Sequence, residues 1–424
     1  MLTKNLALIF AIFVGARAFE IFSENCLTEV VETIPADLKY ENESITSTQT
    51  YKNWIELING AKKTLDIASM YWTLRCKDVM NIAVPECKQG EDVLNAIIEA
   101  AKKRSVKIRI AVNDQPRDVT DLEVLKDVAE IKRVNFTRLV GAGILHTKFM
   151  IIDDKSFYVG SANMDWRSLT HVKEMGVGVR ECPTLAEDLG KIFDIYWLLG
   201  GDTKDIPDRF PVEDATRINM TIPITLSMNN EYYDVFFASS PQSFCSAGRT
   251  GDIDAIIQTI EEADKFIYIA VMDYFPIFLY TKPTKFWPLI DNALRKAAIE
   301  RGVHVKLMAS HWNHTRSSMQ YFLRSLSSLN DSKIFHGSIE TKFFTIPSTP
   351  AEARIPFARV NHNKFMVTDR TAYIGTSNWS ADYFVNTGGV GMSIAPKDKK
   401  TSKIYDSIKH AFERDWNSVY ASTV

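Results

Sequence analysis

A chain of 424 residues exceeds the size at which one hydrophobic core keeps growing, so two structural units are expected. Hydrophobic residues at 46% and charged residues at 24% are those of an ordinary soluble globular protein. The formal net charge of −2 excludes a global basic field for nucleic acid, so any polyanion must be met by local lysines and arginines.

The N-terminus has the form of a cleavable signal peptide over residues 1–18. Lys4 supplies the basic start, Leu6–Val14 the apolar run and Ala16-Arg17-Ala18 the cleavage site. That run is shorter than the ~20 residues of a spanning helix. An uncleaved anchor or a buried strand is the alternative, and no later segment reads as a membrane span. A lysosomal or secreted protein is expected.

Residues 19–50 read as a loosely structured lead-in, and 51–205 as a first lobe. Its spacing predicts a helix over Asn53–Lys63, a buried strand over Thr64–Met70 and an irregular loop over Cys76–Gly90. A helix over Asp92–Lys103, a strand over Val106–Val112 and a helix over Asp121–Ala129 follow. Strands are expected over His146–Ile152, Phe157–Ser161 and Met175–Val179, then a helix over Cys182–Leu199. Residues 206–245, within a stretch of prolines and sequons, read as the connection to a second lobe over 246–424. There the order returns: helix Ile253–Ala263, strand Phe266–Met272, helix Trp287–Glu300, strand Val303–Met308, then strands His362–Thr368 and Ala372–Thr376. This is a duplication at domain scale, and strand–helix alternation makes each half an α/β layer, a mixed sheet flanked by helices.

The repeat carries chemistry. His146-Thr147-Lys148, Asp153 and Gly160-Ser161-Ala162-Asn163 recur as His362-Asn363-Lys364, Asp369 and Gly375-Thr376-Ser377-Asn378. Asp follows Lys by five positions in both copies. On a strand, the His and Lys of His-x-Lys would face one side. One neutral imidazole can attack phosphorus while the other, protonated, serves the leaving oxygen. Lys148 and Lys364 can neutralise the non-bridging oxygens, and no metal or other cofactor is called for. Asn163, Asn378, Ser161 and Thr376 add donors, and the glycines admit backbone to the phosphate. Asp153 and Asp369 stand with the motif and read more as anchors than as reacting groups. His171, His304, His311, His314, His336 and His410 read as ordinary hydrogen-bonded histidines.

Five cysteines and six sequons fit an oxidising, glycosylating compartment. Cys76 with Cys87 would close a short loop and Cys26 with Cys182 would tie down the mature N-terminus, leaving Cys245. Pairing stays open, with buried free thiols the alternative. N-glycans are expected among Asn42, Asn135, Asn219, Asn313 and Asn330, and Asn378 is expected to stay bare.

Twice-repeated His-x-Lys-x4-Asp with a downstream Gly-x-x-Asn resembles the phospholipase D superfamily. GSANMDWRSL at Gly160–Leu169, SAGRT at Ser246–Thr250, ARVNHNKFMVTDR at Ala358–Arg370 and IGTSNWS at Ile374–Ser380 are similar to one branch, the animal lysosomal phospholipase D three and four proteins. That branch consists of 5′-to-3′ exonucleases of single-stranded DNA and RNA. The resemblance implies two lobes facing across one active site, a phosphohistidine intermediate, His146 as nucleophile and His362 as acid/base, although the residues alone support the reverse as well. It also implies an orienting acid eleven positions after the Asn. Glu174 stands there in the first copy; Gly389 stands there in the second. The branch often begins with a membrane anchor, which the signal peptide replaces here.

A single strand needs rings for bases and cations for phosphates. Trp72, Trp166, Phe286, Trp287, Trp312 and Trp379 are candidates, with Arg167 and Arg249 for phosphate, and core packing is the competing reading for each ring. The alternative substrate is a phospholipid, and a binding protein without catalysis is a third reading. A homodimer is left open.

Overall fold

The computed structural model describes residues 24–40, 47–80, 84–115, 120–330, 334, 336–398 and 402–424. The expected signal peptide and the Asn42 sequon lie outside these. Among the described residues no helix is long and apolar enough to cross a membrane.

Two halves repeat one pairing pattern. In the first, strands run in the order Glu130–Val134, Lys107–Asn113, Thr64–Ser69, Phe149–Ile152, Ser156–Gly160, Glu174–Arg180 and Asn25–Thr33. The first three are mutually parallel and every later pairing is antiparallel. In the second, Ser338–Phe344, His304–Ser310, Phe266–Val271, Lys364–Thr368, Ala372–Gly375, Gly389–Pro396 and Glu231–Ser240 follow the same order and senses. Strand Ile224–Met228 joins the two sheets, pairing with Glu231–Ser240 and with Asn25-Cys26.

Successive side chains point to opposite faces of the pleat, and in the motif strands both faces are buried. Phe149, Ile151, Phe365 and Val367 enter a core shared by both halves, closed by helices Pro183–Leu199 and Lys403–Asn417. Met150 and Ile152 enter a core private to the first half, and Met366 one private to the second. The shared core fixes how the halves meet, and so where their motifs lie.

Three expectations need correction. The lead-in is not loose at Asn25–Thr33, which is the seventh strand of the first sheet. Its alternation is obscured because Glu32 and Thr33 are buried; Glu32 pairs with Arg414 at 2.7 Å and Lys173 at 3.3 Å. The connection likewise contains strands Ile224–Met228 and Glu231–Ser240, the latter matching Asn25–Thr33. Finally, the first motif precedes its strand: Phe149 opens it, and Lys364 is the first strand residue of the second copy. The pleat therefore does not aim His-x-Lys.

Two disulfides link Cys26 to Cys182 and Cys76 to Cys87, and Cys245 is free.

Candidate active site

What aims the histidines is a reciprocal exchange between halves. The His146 N–H donates to the Gly388 carbonyl at 2.8 Å, and the His362 N–H donates to the Lys173 carbonyl at 2.8 Å. Leu145–Gly388 and Lys173–Asn361 are matching parallel bridges. Each histidine is thus held by the residue just before position 174 or 389 of the other half. Both line one cavity of about 420 Å³ together with Asn163, Glu174, Asn378 and Tyr383.

The halves then part. Glu174 accepts from Ser161 at 2.5 Å and Ser168 at 2.8 Å, and faces His362 Nδ1 at 2.9 Å. The carboxylate thus orients the other half's imidazole and leaves Nε2 free. At the matched position, Gly389 has no room for a side chain: a Cβ would stand 2.3 Å from Ser377 Oγ. His146 instead packs against Tyr383, ring centroids 4.9 Å apart, edge to face. Its Nδ1 is buried without a hydrogen-bonding side chain. Tyr383 matches Ser168, five positions after the motif asparagine in each copy.

Burial, then the nearby Lys148, Lys364 and His362, push His146 well below its usual range. Burial also lowers His362, but Glu174 opposes that shift. Glu174 itself is held low, because His362, Lys364 and Ser161 outweigh its burial. The geometry therefore separates a readily neutral imidazole from one supported as a cation. Burial drives Lys364 down to about 7 and Lys148 well below its usual range. Each ammonium donates to its own motif histidine's carbonyl, Lys364 at 2.6 Å. Glu174 opposes the shift of both lysines and Asp273 that of Lys364, and an anion entering the cavity would oppose it further.

Several sequence-expected residues do other work. Asp153 and Asp369 stand outside the cavity. Asp153 accepts from the backbone of Lys62, Lys63 and Thr64 at 2.9, 2.6 and 2.8 Å, and Asp369 from Asp264 and Lys265 at 2.9 and 3.0 Å. Ser161 and Thr376 accept from the N–H groups of Met175 and Val390 at 3.0 and 2.9 Å, so they tie strands behind the residues that line the cavity. Gly160 and Gly375 are needed because the hydroxyls of Tyr158 and Tyr373 lie over them, 2.6 and 2.7 Å from a would-be Cβ. Trp72, Trp166 and Trp379 are buried in cores and Phe286 is exposed. Arg249 is spent on Asp188 at 2.6 Å. Arg167 borders the cavity but is clamped by Asp165. Trp312 does line it, joined by Tyr71, Tyr280 and Phe357, which no motif marks, and by His314. In sequence His314 reads as an ordinary histidine; only the loop geometry brings it here. Tyr383 was legible by comparing the copies position by position. Among the described residues, the cluster with metal-ligand spacing is Glu24, Cys26 and Cys182, whose two sulfurs are bonded to each other.

A family model described as PLD3/4, PLD-like domain matches residues 42–349. The chain belongs to the PLD3/4 branch of the phospholipase D superfamily. The chain is 44% identical over 405 residues to the 5′-3′ exonuclease PLD3 of Xenopus tropicalis, covering 94% of this chain and 81% of that one. It is 43% identical over 399 residues to the Homo sapiens 5′-3′ exonuclease PLD3, covering 93% and 80%. A probable phospholipase D of Caenorhabditis elegans is 42% identical over 410 residues, covering 94% and 71%. The solved phosphatidylserine synthase of Haemophilus influenzae superposes with a TM-score of 0.58 at 11% identity, over 88% of this chain and 85% of that one. That likeness shows the phospholipase D fold alone.

Proposed function

We propose that this chain is a phosphodiesterase that removes nucleotides from the 5′ end of single-stranded DNA or RNA at acid pH. His146 attacks phosphorus while the leaving oxygen of the remaining strand takes a proton from His362. Neutral His362 then accepts a proton from water, which displaces the nucleotide from phosphohistidine. Lys148 and Lys364 stabilise the charge gathered on the non-bridging oxygens, and Asn163 and Asn378 supply amide donors at the cavity wall. Glu174 positions His362. The observation that carries the reading is the single Glu174–His362 pair facing an acid-free His146 across one cavity. The family's exonuclease members support the substrate, and two disulfides support an oxidising lumenal or extracellular setting. Asn313 and Asn330 are exposed sequons open to N-glycans, whereas Asn378 is buried. The side-chain amides of Asn135 and Asn219 are already bonded, to Asp114 and to the Gly248 carbonyl.

The test incubates linear and circular single strands, and phosphatidylcholine vesicles, with the enzyme at about pH 5 and about pH 7 with a chelator. Mononucleotides should appear from linear strands, faster at the lower pH, and none from circles. Lipid turnover without nuclease activity, or cleavage of circles, would overturn the reading.

A further inference from the structure

Two exposed rings stand at the cavity, and each sits on a loop held by the same motif position of opposite halves. Phe357 is 60% exposed and Tyr280 55% exposed, and both line the cavity that holds His146 and His362. Four residues after Asn163 comes Arg167, which donates to the Pro356 carbonyl beside Phe357. Four residues after Asn378 comes Asp382, which accepts from the backbone N–H groups of Tyr280 and Thr281 at 3.1 and 3.2 Å.

Neither loop gains burial for its ring by this. Phe357 has a φ of +55°, a left-handed conformation costly for a bulky side chain. Beyond Arg167 on one side, Arg359 bonds the Pro347 carbonyl on the other, and its N–H reaches His171 O at 3.2 Å. The Cys76–Cys87 disulfide packs beneath, with Trp166, Ile355 and Ala358. Strain maintained to keep an apolar ring in water points to a ligand for its face. His314 stacks on Phe357, centroids 4.6 Å apart at 14°, and Trp312 meets His314 edge-on at 4.7 Å. Arg316 lies 5.6 Å from the Tyr280 ring. At the matched place in the first half, after strand Lys107–Asn113, stand Asp114 and Gln115, which offer no ring.

We infer that Phe357 and Tyr280, with Trp312 and His314, form a stacking subsite for an unpaired nucleobase adjoining the scissile phosphate. The subsite rests on the nuclease reading and deepens it. A one-sided aromatic wall breaks the symmetry of the two motifs, so the strand enters in one direction. It also favours single strands, because a paired and stacked base offers no free face.

The test is a cycle of ring removal against base removal. Wild type, Phe357→Ala and Tyr280→Ala are assayed on oligonucleotides that are intact, or abasic at the first or second 5′ position. Phe357→Leu keeps apolar bulk without a π-face, Phe357→Trp restores one, and melting curves check folding. Ring removal should raise KM roughly 5- to 150-fold on the intact strand, the size of one lost base stack. It should add little on the strand whose abasic position faces the wall, and Phe357→Trp should recover most of the loss. Equal losses on intact and abasic strands, or no loss on either, would remove the subsite while leaving the nuclease intact. Absence of nucleotide release by wild type would remove the nuclease reading and the subsite together.

Discussion

Glu174 of the first half and His362 of the second meet at 2.9 Å, and among the described residues nothing acidic bonds His146 in return. An exchange that begins symmetrically in the backbone ends asymmetrically in the side chains. Replacing Glu174 with Gln keeps the shape but removes the charge that supports protonated His362. We expect kcat to fall by roughly two to four orders of magnitude, the usual worth of a positioned acid–base group. The alkaline limb of the rate profile should also move to lower pH, because Glu174 is what raises His362 against its burial. A loss of rate with an unmoved limb would make Glu174 merely structural.

The pH profile of the unaltered enzyme follows from the same pair. In the proposed mechanism His146 works when neutral, that is, above its own pKa, and burial with neighbouring cations has lowered that pKa. The proposed acid, His362, would work when protonated, below its pKa, which burial has also lowered from the usual ~6.5. Both limbs of the bell therefore shift toward acid, and activity should decline through neutrality. Steady-state kcat/KM from about pH 4 to about pH 9 checks this. A rate that climbs above neutral pH would contradict the division of roles.

An enzyme proposed to work in acid must also stay folded there. Burial raises Glu32, yet Arg414 and Lys173 hold it down at about 2. Its stabilisation is therefore present above the ordinary carboxylate range and is lost only as pH falls toward that value. The network ties strand Asn25–Thr33 to helix Lys403–Asn417 and includes Lys173–Asp415 at 2.6 Å. Thermal melting should change little from this source between about pH 7 and about pH 5. Glu32→Gln leaves buried cations short of a partner and should cost about 3–5 kcal/mol. Equal melting of wild type and variant at both pH values would count against it.

Asp153 belongs to the motif by sequence and to the scaffold by contact. Its carboxylate caps three backbone N–H groups at the start of strand Thr64–Ser69. Asp153→Ala should lower stability by about 1–3 kcal/mol, as lost charged hydrogen bonds do, while kcat per folded molecule stays near wild type. A stable variant with a collapsed kcat would place Asp153 in the chemistry.

Much of this architecture was legible in the chain. Thr64–Met70, Val106–Val112 and Phe266–Met272 read as strands because their side chains alternate into two cores. Asn25–Thr33 did not, because Glu32 is buried by ion pairs formed with residues more than a hundred positions away. Motif spacing located His146, His362 and Glu174, but not which imidazole Glu174 would reach; that depends on how the halves dock. The aromatic wall was the least legible. Phe357 lies in no periodic pattern, and its exposure comes from a cross-half bond of Arg167 to the Pro356 carbonyl and a bond of Arg359 to the Pro347 carbonyl within the second half. Asp153 and Gly160 show the converse: a motif's spacing marks its members without saying which serve the reaction and which serve the fold.

The covalent intermediate gives the most direct test of the central claim. His362→Ala enzyme is mixed with a nucleoside 3′-(p-nitrophenyl) phosphate, whose leaving group needs no acid, then quenched in alkali and digested for mass spectrometry. Nitrophenol should appear as a stoichiometric burst, with the nucleotide trapped on His146, because the imidazole that activates water is gone. His146→Ala should give neither burst nor adduct. An adduct on another residue, or undiminished steady turnover by His146→Ala, would contradict the account.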